Sequence, residues 1–413
     1  MTKITKTVGL LSCLLLSTTL AAPTAFAQET VVSLEEALKA SKVLANLRLR
    51  AEGASFDNGT DNAEALTYRA RIGFETGAFA GTKLLVEFDH VEDLVGEFND
   101  TLNGNTSRAV IADPNVTELN RLQLSNTSIP DTTVTIGRQR IILDDSRFVG
   151  NVGWRQNEQT FDAIRVANKS IENVTIDVSY LDQVNRIFGD EAASGRFDSE
   201  SYIVNAGYKL PIEGADVKLS GFGYFLDLND AGLSSDTIGG RLTAKKGPIS
   251  LAASYATQSD AGDNAVDYSA DYYFVEGKYK KGGFSASAGY EVLGADDDSD
   301  GRFTTPLATL HKFNGFADVF LATPTNGLED LYIRADYKTG AVGPLPFVNM
   351  WVRYHDFSSN EGSVDLGSEI DAVVATKLSK KLGLLFKFAD YSQGDEGTPF
   401  DRSRYSVQLD YNF

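Results

Sequence analysis

Cysteine occurs once, at Cys13, and histidine three times, at His90, His311 and His355. A chain this poor in thiols has no disulfide framework, and none of the histidines is spaced for a metal site. No apolar run after the N-terminus approaches the 20 or so residues needed to cross about 30 Å of hydrocarbon, which excludes spanning helices. A phosphate-cradling G-x-x-x-x-G-K-[ST] loop is missing. Nothing singles out a serine to work with His311 and an acid, so no catalytic residue, metal or cofactor is expected. Positive charge is also short. There are 38 Lys and Arg against 57 Asp and Glu, a formal net charge of −19, which argues against nucleic acid as a partner.

What is present begins with a signal. Lys3 and Lys6 precede an apolar run from Val8 to about Ala22, and Ala25-Phe26-Ala27 forms a small-x-small cleavage site. This is a secretory signal peptide over 1–27, too short for a membrane span. Its removal takes Cys13 with it and leaves the charge at −21, because the segment holds two lysines and no acid. Residues 28–42 follow as a short periplasmic lead-in, where Ser33-Leu34-Glu35-Glu36 is a capping box opening a brief helix.

From there the pattern has period two. At the C-terminus Tyr405, Val407, Leu409, Tyr411 and Phe413 share one face, and Arg404, Ser406, Gln408, Asp410 and Asn412 share the other. A terminal strand ending on an apolar aromatic also fits the signal read by the barrel-assembly machinery. Similar segments recur near 43–53, 64–76, 82–93, 115–127, 132–142, 159–169, 173–185, 198–209, 215–228, 235–246, 248–258, 265–279, 283–294, 327–338, 346–357, 366–378, 382–392 and 402–413. Long polar connections alternate with short ones along this series. That parity describes two different rims, so the expected fold is all-β, a transmembrane antiparallel barrel of about 18 strands over 43–413 with a water-filled lumen. The longest connection, 295–326, is apolar in part and is expected to fold inward as a constriction rather than add an odd strand. Acid gathers in the long connections, as at Asp296-Asp297-Asp298-Ser299-Asp300. Solvated loops account for such runs, with a divalent-cation role beside lipopolysaccharide as the second reading.

Alternation also assigns faces. Leu47 and Leu49 oppose Arg48 and Arg50; Tyr68, Ala70 and Ile72 oppose Arg69 and Arg71; Leu122 and Leu124 oppose Arg121. An arginine at the lipid midplane costs about 2–4 kcal/mol, so these side chains belong in the lumen. Arg138, Arg140 and Arg165 are assigned there too, on strands whose mixed parity suggests a bulge. Such a guanidinium-lined wall attracts carboxylates, and acids such as Glu52, Glu75, Glu87 and Asp89 compete for it.

Two stretches go beyond barrel pattern. One joins Gly137-Arg138-Gln139 to Val149-Gly150-Asn151-Val152-Gly153-Trp154-Arg155-Gln156-Asn157 and Thr160-Phe161-Asp162-Ala163-Ile164-Arg165. The other runs from Thr305 through His311-Lys312-Phe313-Asn314 to Asp318, then Asn326 to Tyr332. Both resemble the alginate export family of outer-membrane porins. The resemblance implies an 18-stranded barrel with a basic lumen that passes anionic polysaccharide. It implies that Arg138 and Arg165 line the lumen, and that Trp154, Arg155, Asn157 and Asp162 lie in the loop and strand start beside it. His311, Lys312 and Asn314 fall in the expected constriction. The expected function is passive diffusion of small hydrophilic solutes, anionic or carbohydrate, with dedicated export of an alginate-like polymer as the alternative. Expected partners are those solutes, outer-membrane lipid and lipopolysaccharide, and the assembly machinery through Phe413, with the protein a monomer or homotrimer.

Overall fold

Alternating side chains build a sheet with one apolar and one polar face, and such a sheet is stable in a bilayer only when it closes on itself. The computed structural model describes residues 33–413. The expected signal peptide and the first residues of the lead-in lie outside them. The described chain forms eighteen antiparallel strands. The first six are β1 (Lys42–Phe56), β2 (Ala63–Glu75), β3 (Thr82–Glu97), β4 (Val116–Asn126), β5 (Thr132–Gln139) and β6 (Thr160–Asn168). Next come β7 (Val174–Asn185), β8 (Arg196–Leu210), β9 (Asp216–Leu226), β10 (Ser235–Lys246), β11 (Ile249–Asp260) and β12 (Ser269–Lys281). The last are β13 (Phe284–Leu293), β14 (Leu328–Lys338), β15 (Val348–Ser358), β16 (Asp365–Lys377), β17 (Leu382–Ser392) and β18 (Arg402–Asn412). Each pairs with its sequence neighbours, and β1 pairs with β18 in a register running from Asn46↔Asn412 to Phe56↔Arg402, which closes the barrel.

Burial follows parity. Leu47, Leu49, Ile72, Leu122, Leu124, Tyr405 and Val407 are exposed on the outer wall, whereas Arg50, Arg69, Arg404, Ser406 and Gln408 are buried inside. Connections sort by rim: 98–115, 140–159 and 294–327 on one side, 247–248 and 282–283 on the other. A six-residue helix α1 (Leu34–Lys39), closed by a reciprocal capping box between Ser33 and Glu36, packs on the short-turn rim. There the Gly77 amide donates to the Ala37 carbonyl at 2.9 Å.

Five ladders carry irregularities, one at Phe357/Ser358 between β15 and β16 and four in the β2–β8 sector, at Leu66/Thr67, Glu87/Phe88, Asp162/Ala163 and Leu181/Gln183. A bulge turns one extra side chain out of strict alternation, which explains the mixed parity there. The inner wall is also not uniformly polar. Tyr224, Tyr272, Phe357 and Tyr391 from the wall join Ile141, Leu143, Val149, Phe303, Leu307 and Phe320 from the two longest inward connections in one buried apolar cluster. Part of the lumen is therefore a packed core.

Candidate functional site: the loop-crossed lumen

The loop 140–159 leaves β5 at Gln139 and returns at β6, and the loop 294–327 joins β13 to β14. They meet inside the barrel. The Gly150 amide donates to Leu307 O at 2.9 Å, Thr309 N to Ser146 O at 3.0 Å, and Val152 N to Thr309 Oγ1 at 3.1 Å. Gln159 Nε2 bridges Gly150 O and Leu307 O at 2.9 and 3.0 Å. Asp144, Ser146, Val152, Asn314 and Asp318 all have positive φ. A β-branched residue such as Val152 enters the left-handed region only where its surroundings impose it.

The two loops dock on different sectors of the wall. The basic side of the wall donates to backbone carbonyls of the first loop. Arg48 Nη1 reaches Gly153 O, Trp154 O and Arg155 O at 3.3, 3.1 and 3.2 Å; Arg50 Nη2 bonds Trp154 O; Arg69 Nη1 bonds Gln156 O at 3.0 Å. The acidic side accepts from the second loop, to whose Asp318 and Ala317 carbonyls Arg402 Nη1 and Arg404 Nε also donate at 3.2 and 3.1 Å. Ala317 N donates to Glu369 Oε1 at 2.8 Å and Phe316 N to Asp371 Oδ1 at 3.2 Å. Asn314 Nδ2 donates to Glu291 Oε2 at 2.8 Å and to Asp330 Oδ2 at 3.1 Å. Arg147 links Glu291 at 2.7 Å to Asn314 Oδ1 at 3.2 Å, and Glu291 keeps its guanidinium above the ordinary arginine range despite burial.

Two charge hubs sit under the loops. Arg155 ties Glu52 at 3.2 Å to Asp318 at 3.0 Å, with Asp113 at 3.6 Å; Arg50 and Arg404 close on the same acids, Arg50–Asp113 at 3.3 Å and Arg404–Glu52 at 3.4 Å. Three guanidiniums thus balance three carboxylates. Glu158, 1% exposed, accepts from Arg71 at 3.0 Å, Asn120 at 2.9 Å, Asn151 at 2.6 Å and Arg140 at 2.8 Å. Burial alone would raise its carboxyl, but Arg71 and Arg140 outweigh it and hold the group down to about 2. Asn157 bonds Glu118 Oε1 at 2.8 Å and caps the Glu158 amide.

At the loop junction His311 is stacked between Trp154 and Phe316, each centroid 5.0 Å away and within 15° of parallel. Its Nδ1 meets Asp318 Oδ1 at 2.5 Å and its Nε2 meets Lys387 Nζ at 2.6 Å. Burial pushes the imidazole down to about 4 against the pull of Asp318, so the ring is neutral, donating at Nδ1 and accepting at Nε2. Both nitrogens are engaged, and neither faces a serine. Lys312 Nζ bonds the Asp145 carbonyl.

These placements revise the reading of the arginines. Arg50, Arg69 and Arg71 were expected to line the passage. They lie on the inner wall but are 0, 3 and 9% exposed, covered by the first loop and spent on holding it. Arg140 lies beyond the end of β5, in the loop, not on a strand. Arg138 shares the parity of the exposed Ile136, and its partner Asp162, at 2.7 Å, that of the exposed Ile164. Left-handed Gly137 and the Asp162/Ala163 bulge adjoin this pair, so alternation does not put it on the inner face. Arg121 pairs with Glu87 at 2.8 Å, and Arg165 with Asp177 at 2.6 Å. Arg48, at its Asp410 partner, stays partly open.

A recess of about 460 Å³ opens on the long-loop side of the crossing loops. Arg155, Arg186, Arg402 and Arg404 line it together with Phe56, Phe188, Val152 and Leu321. Arg402 lies over Phe56 and Phe400 at 5.0 and 4.6 Å, and Arg186 over Phe197 at 4.4 Å. Among the described residues no carboxylate oxygen is within 4 Å of either guanidinium. Arg186 and Arg402 were missed from sequence. The polar parity of the last strand already marked Arg404 and, by extension, Arg402.

The architecture matches solved structures. Pseudomonas aeruginosa OpdO aligns with TM-score 0.69 and 16% identity over 92% of this chain and 98% of its own. P. aeruginosa OpdK gives 0.65 and 16% over 91% and 99%. A BenF-like porin from Pseudomonas fluorescens Pf-5 gives 0.67 and 17% over 91% and 100%. The fold is that of a bacterial outer-membrane porin. No family model matches the porin-fold chain, and no curated protein does. None of these three neighbours is named as an alginate exporter, so the alginate-export resemblance gains no support and only its barrel stands.

Proposed function

We propose that this barrel passes small anionic solutes, carboxylates with an apolar or aromatic body, across the outer membrane by passive diffusion. The observation that carries the reading is the recess over the crossing loops, where Arg186 and Arg402 lack acidic partners and sit on aromatic faces. Guanidinium groups pair with carboxylates in two parallel bonds, and apolar walls take the rest of the solute. Its volume lies within the usual 300–1,000 Å³ or so of small-ligand pockets. A neighbour of the same fold, OpdK, has been crystallised with vanillate, an aromatic carboxylate. Export of an anionic polymer is the weaker reading. Two docked loops cross the lumen, and the long connections carry acid, as at Asp296–Asp300, that repels a polyanion.

The test is swelling of liposomes containing the purified barrel, in isotonic benzoate or in its neutral counterpart benzamide. Faster entry of benzoate, lost in the Arg186→Ser/Arg402→Ser double variant, is expected. Equal rates for the two solutes would refute the anion preference.

A further inference from the structure

The short-turn rim carries a charge pattern that solute passage leaves unused. Three turns on one side of the barrel carry paired lysines, Lys245-Lys246 just before Gly247, Lys280-Lys281 just before Gly282, and Lys380-Lys381 within the turn that leads to Leu382, all six exposed. The four turns joining β10 to β11, β12 to β13, β14 to β15 and β16 to β17 span 247–248, 282–283, 339–347 and 378–381, and contain no aspartate or glutamate. Lysine and ring alternate along this edge, Lys338 Nζ lying 4.3 Å over Phe347 and Lys381 Nζ 4.4 Å over Phe413. The opposite rim is the reverse. Its connections are rich in acid, and Lys312 is the one lysine among those described.

Beside this cationic arc the outer wall is hollowed. A groove of about 720 Å³ runs from Ile249 and Leu251 on β11 to Val352 and Tyr354 on β15. Its floor is low because the cross-strand pairs are small: Gly277 faces Ala288, and Ala286 faces Ala335. The register puts Lys246 opposite Ile249, and Lys281 two residues beyond Tyr279, so lysines border the groove at its short-turn end. Barrels of this kind turn their short connections to the periplasm, which sets this edge at the headgroups of the inner leaflet.

We infer that the groove and the arc form one binding site for an anionic glycerophospholipid, with acyl chain in the groove and phosphodiester at Lys246 and Lys281. Lysine stems lie along apolar wall while their ammonium groups reach the headgroup plane. A chain seated in the hollow regains dispersion contacts that a flat wall would make with the bilayer unaided. A second copy of the barrel is a poor occupant, because a two-fold contact on this sector sets lysine against lysine.

Native mass spectrometry of the mature barrel, offered phosphatidylglycerol and phosphatidylcholine in equal amounts, tests this. Phosphatidylglycerol should be retained preferentially. Lys246→Ser/Lys281→Ser should weaken it roughly ten- to thirtyfold, to the level of phosphatidylcholine, and Lys246→Arg/Lys281→Arg should not. Ala288→Leu/Ala335→Leu, which fills the groove from the exposed wall, should weaken both lipids. Lys83→Ser/Lys169→Ser, at the start of β3 and in the turn after β6 on the same rim, should change neither. Equal retention by the unmodified protein overturns the site. So does a preference that survives the Lys246/Lys281 serine pair, or one lost equally in the Lys83/Lys169 control, which would leave only diffuse charge. Heat-modifiable migration in gels confirms that each variant is a closed barrel.

Discussion

Replacing Glu158 by Gln keeps the shape of the side chain and removes the charge that holds the first crossing loop to the wall. The carboxylate joins Arg71 on β2 and Arg140 in the loop, and accepts from Asn120 and Asn151. Arg71 retains Asp89 at 2.5 Å, but Arg140 has no second carboxylate partner among the described residues. A carboxyl held from 4.5 down to about 2 is favoured in its charged form by roughly 3 kcal/mol. The range for breaking one partner of a buried pair, about 3–5 kcal/mol, agrees. The barrel ladders do not depend on this contact, so the loss falls on loop docking and raises the undocked fraction roughly a hundredfold. Amide hydrogen exchange reads this directly at Gln159 N, bonded to Asn151 O at 2.8 Å, and at Gln156 N, bonded to Asp113 Oδ1 at 2.7 Å. Protection at both should fall by about two orders of magnitude while strand amides hold. Protection unchanged within a factor of three would refute Glu158 as the anchor.

Acid should release the same loops. With His311 at about 4 when docked and near 6.5 when free, the undocked state binds the proton first, so docking weakens as pH falls from 6.5 to 4. Glu158 extends the loss from 4.5 to about 2. The protection factor at Gln159 N, the free-chain exchange rate over its own rate at the same pH, should therefore fall steadily below pH 6.5, and His311→Asn should remove the part between 6.5 and 4.5. Phe320→Ala should cost about 3–5 kcal/mol of second-loop docking, because its ring packs 4.7 Å from Phe357 and 5.9 Å from Tyr391 in the lumenal core. Tryptic cleavage after Arg302 or Lys312 is the measurement, and resistance equal to the unmodified protein would contradict the packing.

The strands were legible because period two needs only neighbours in sequence. All eighteen expected segments are strands, most with ends within three residues. Several strands run further toward the long-loop rim than alternation suggests, to Phe56 in β1 and Glu97 in β3. What the sequence could not show is which inner-wall groups the loops cover. Arg155 and Asp318 are 163 residues apart in the chain, and nothing local couples them. Arginines covered by a loop and arginines open to the recess have the same parity, so Arg50 and Arg402 look alike in one dimension. Tyr272 and Phe357 were hidden for the opposite reason. An aromatic in an alternating strand reads as lipid-facing, and only the docked loop makes it a core residue.

The most direct test of anion passage is the reversal potential across a planar bilayer with a KCl gradient, for the unmodified barrel and for Arg186→Ser/Arg402→Ser. The two arginines have no acidic partner within 4 Å, so their removal opens no ion pair and costs one bond each to a loop carbonyl, Arg402 to Asp318 O at 3.2 Å and Arg186 to Ser194 O at 2.9 Å. The account predicts a shift toward cation permeation with the first-loop amides Gln156 N and Gln159 N still protected. An unmoved reversal potential, at intact protection, would contradict it.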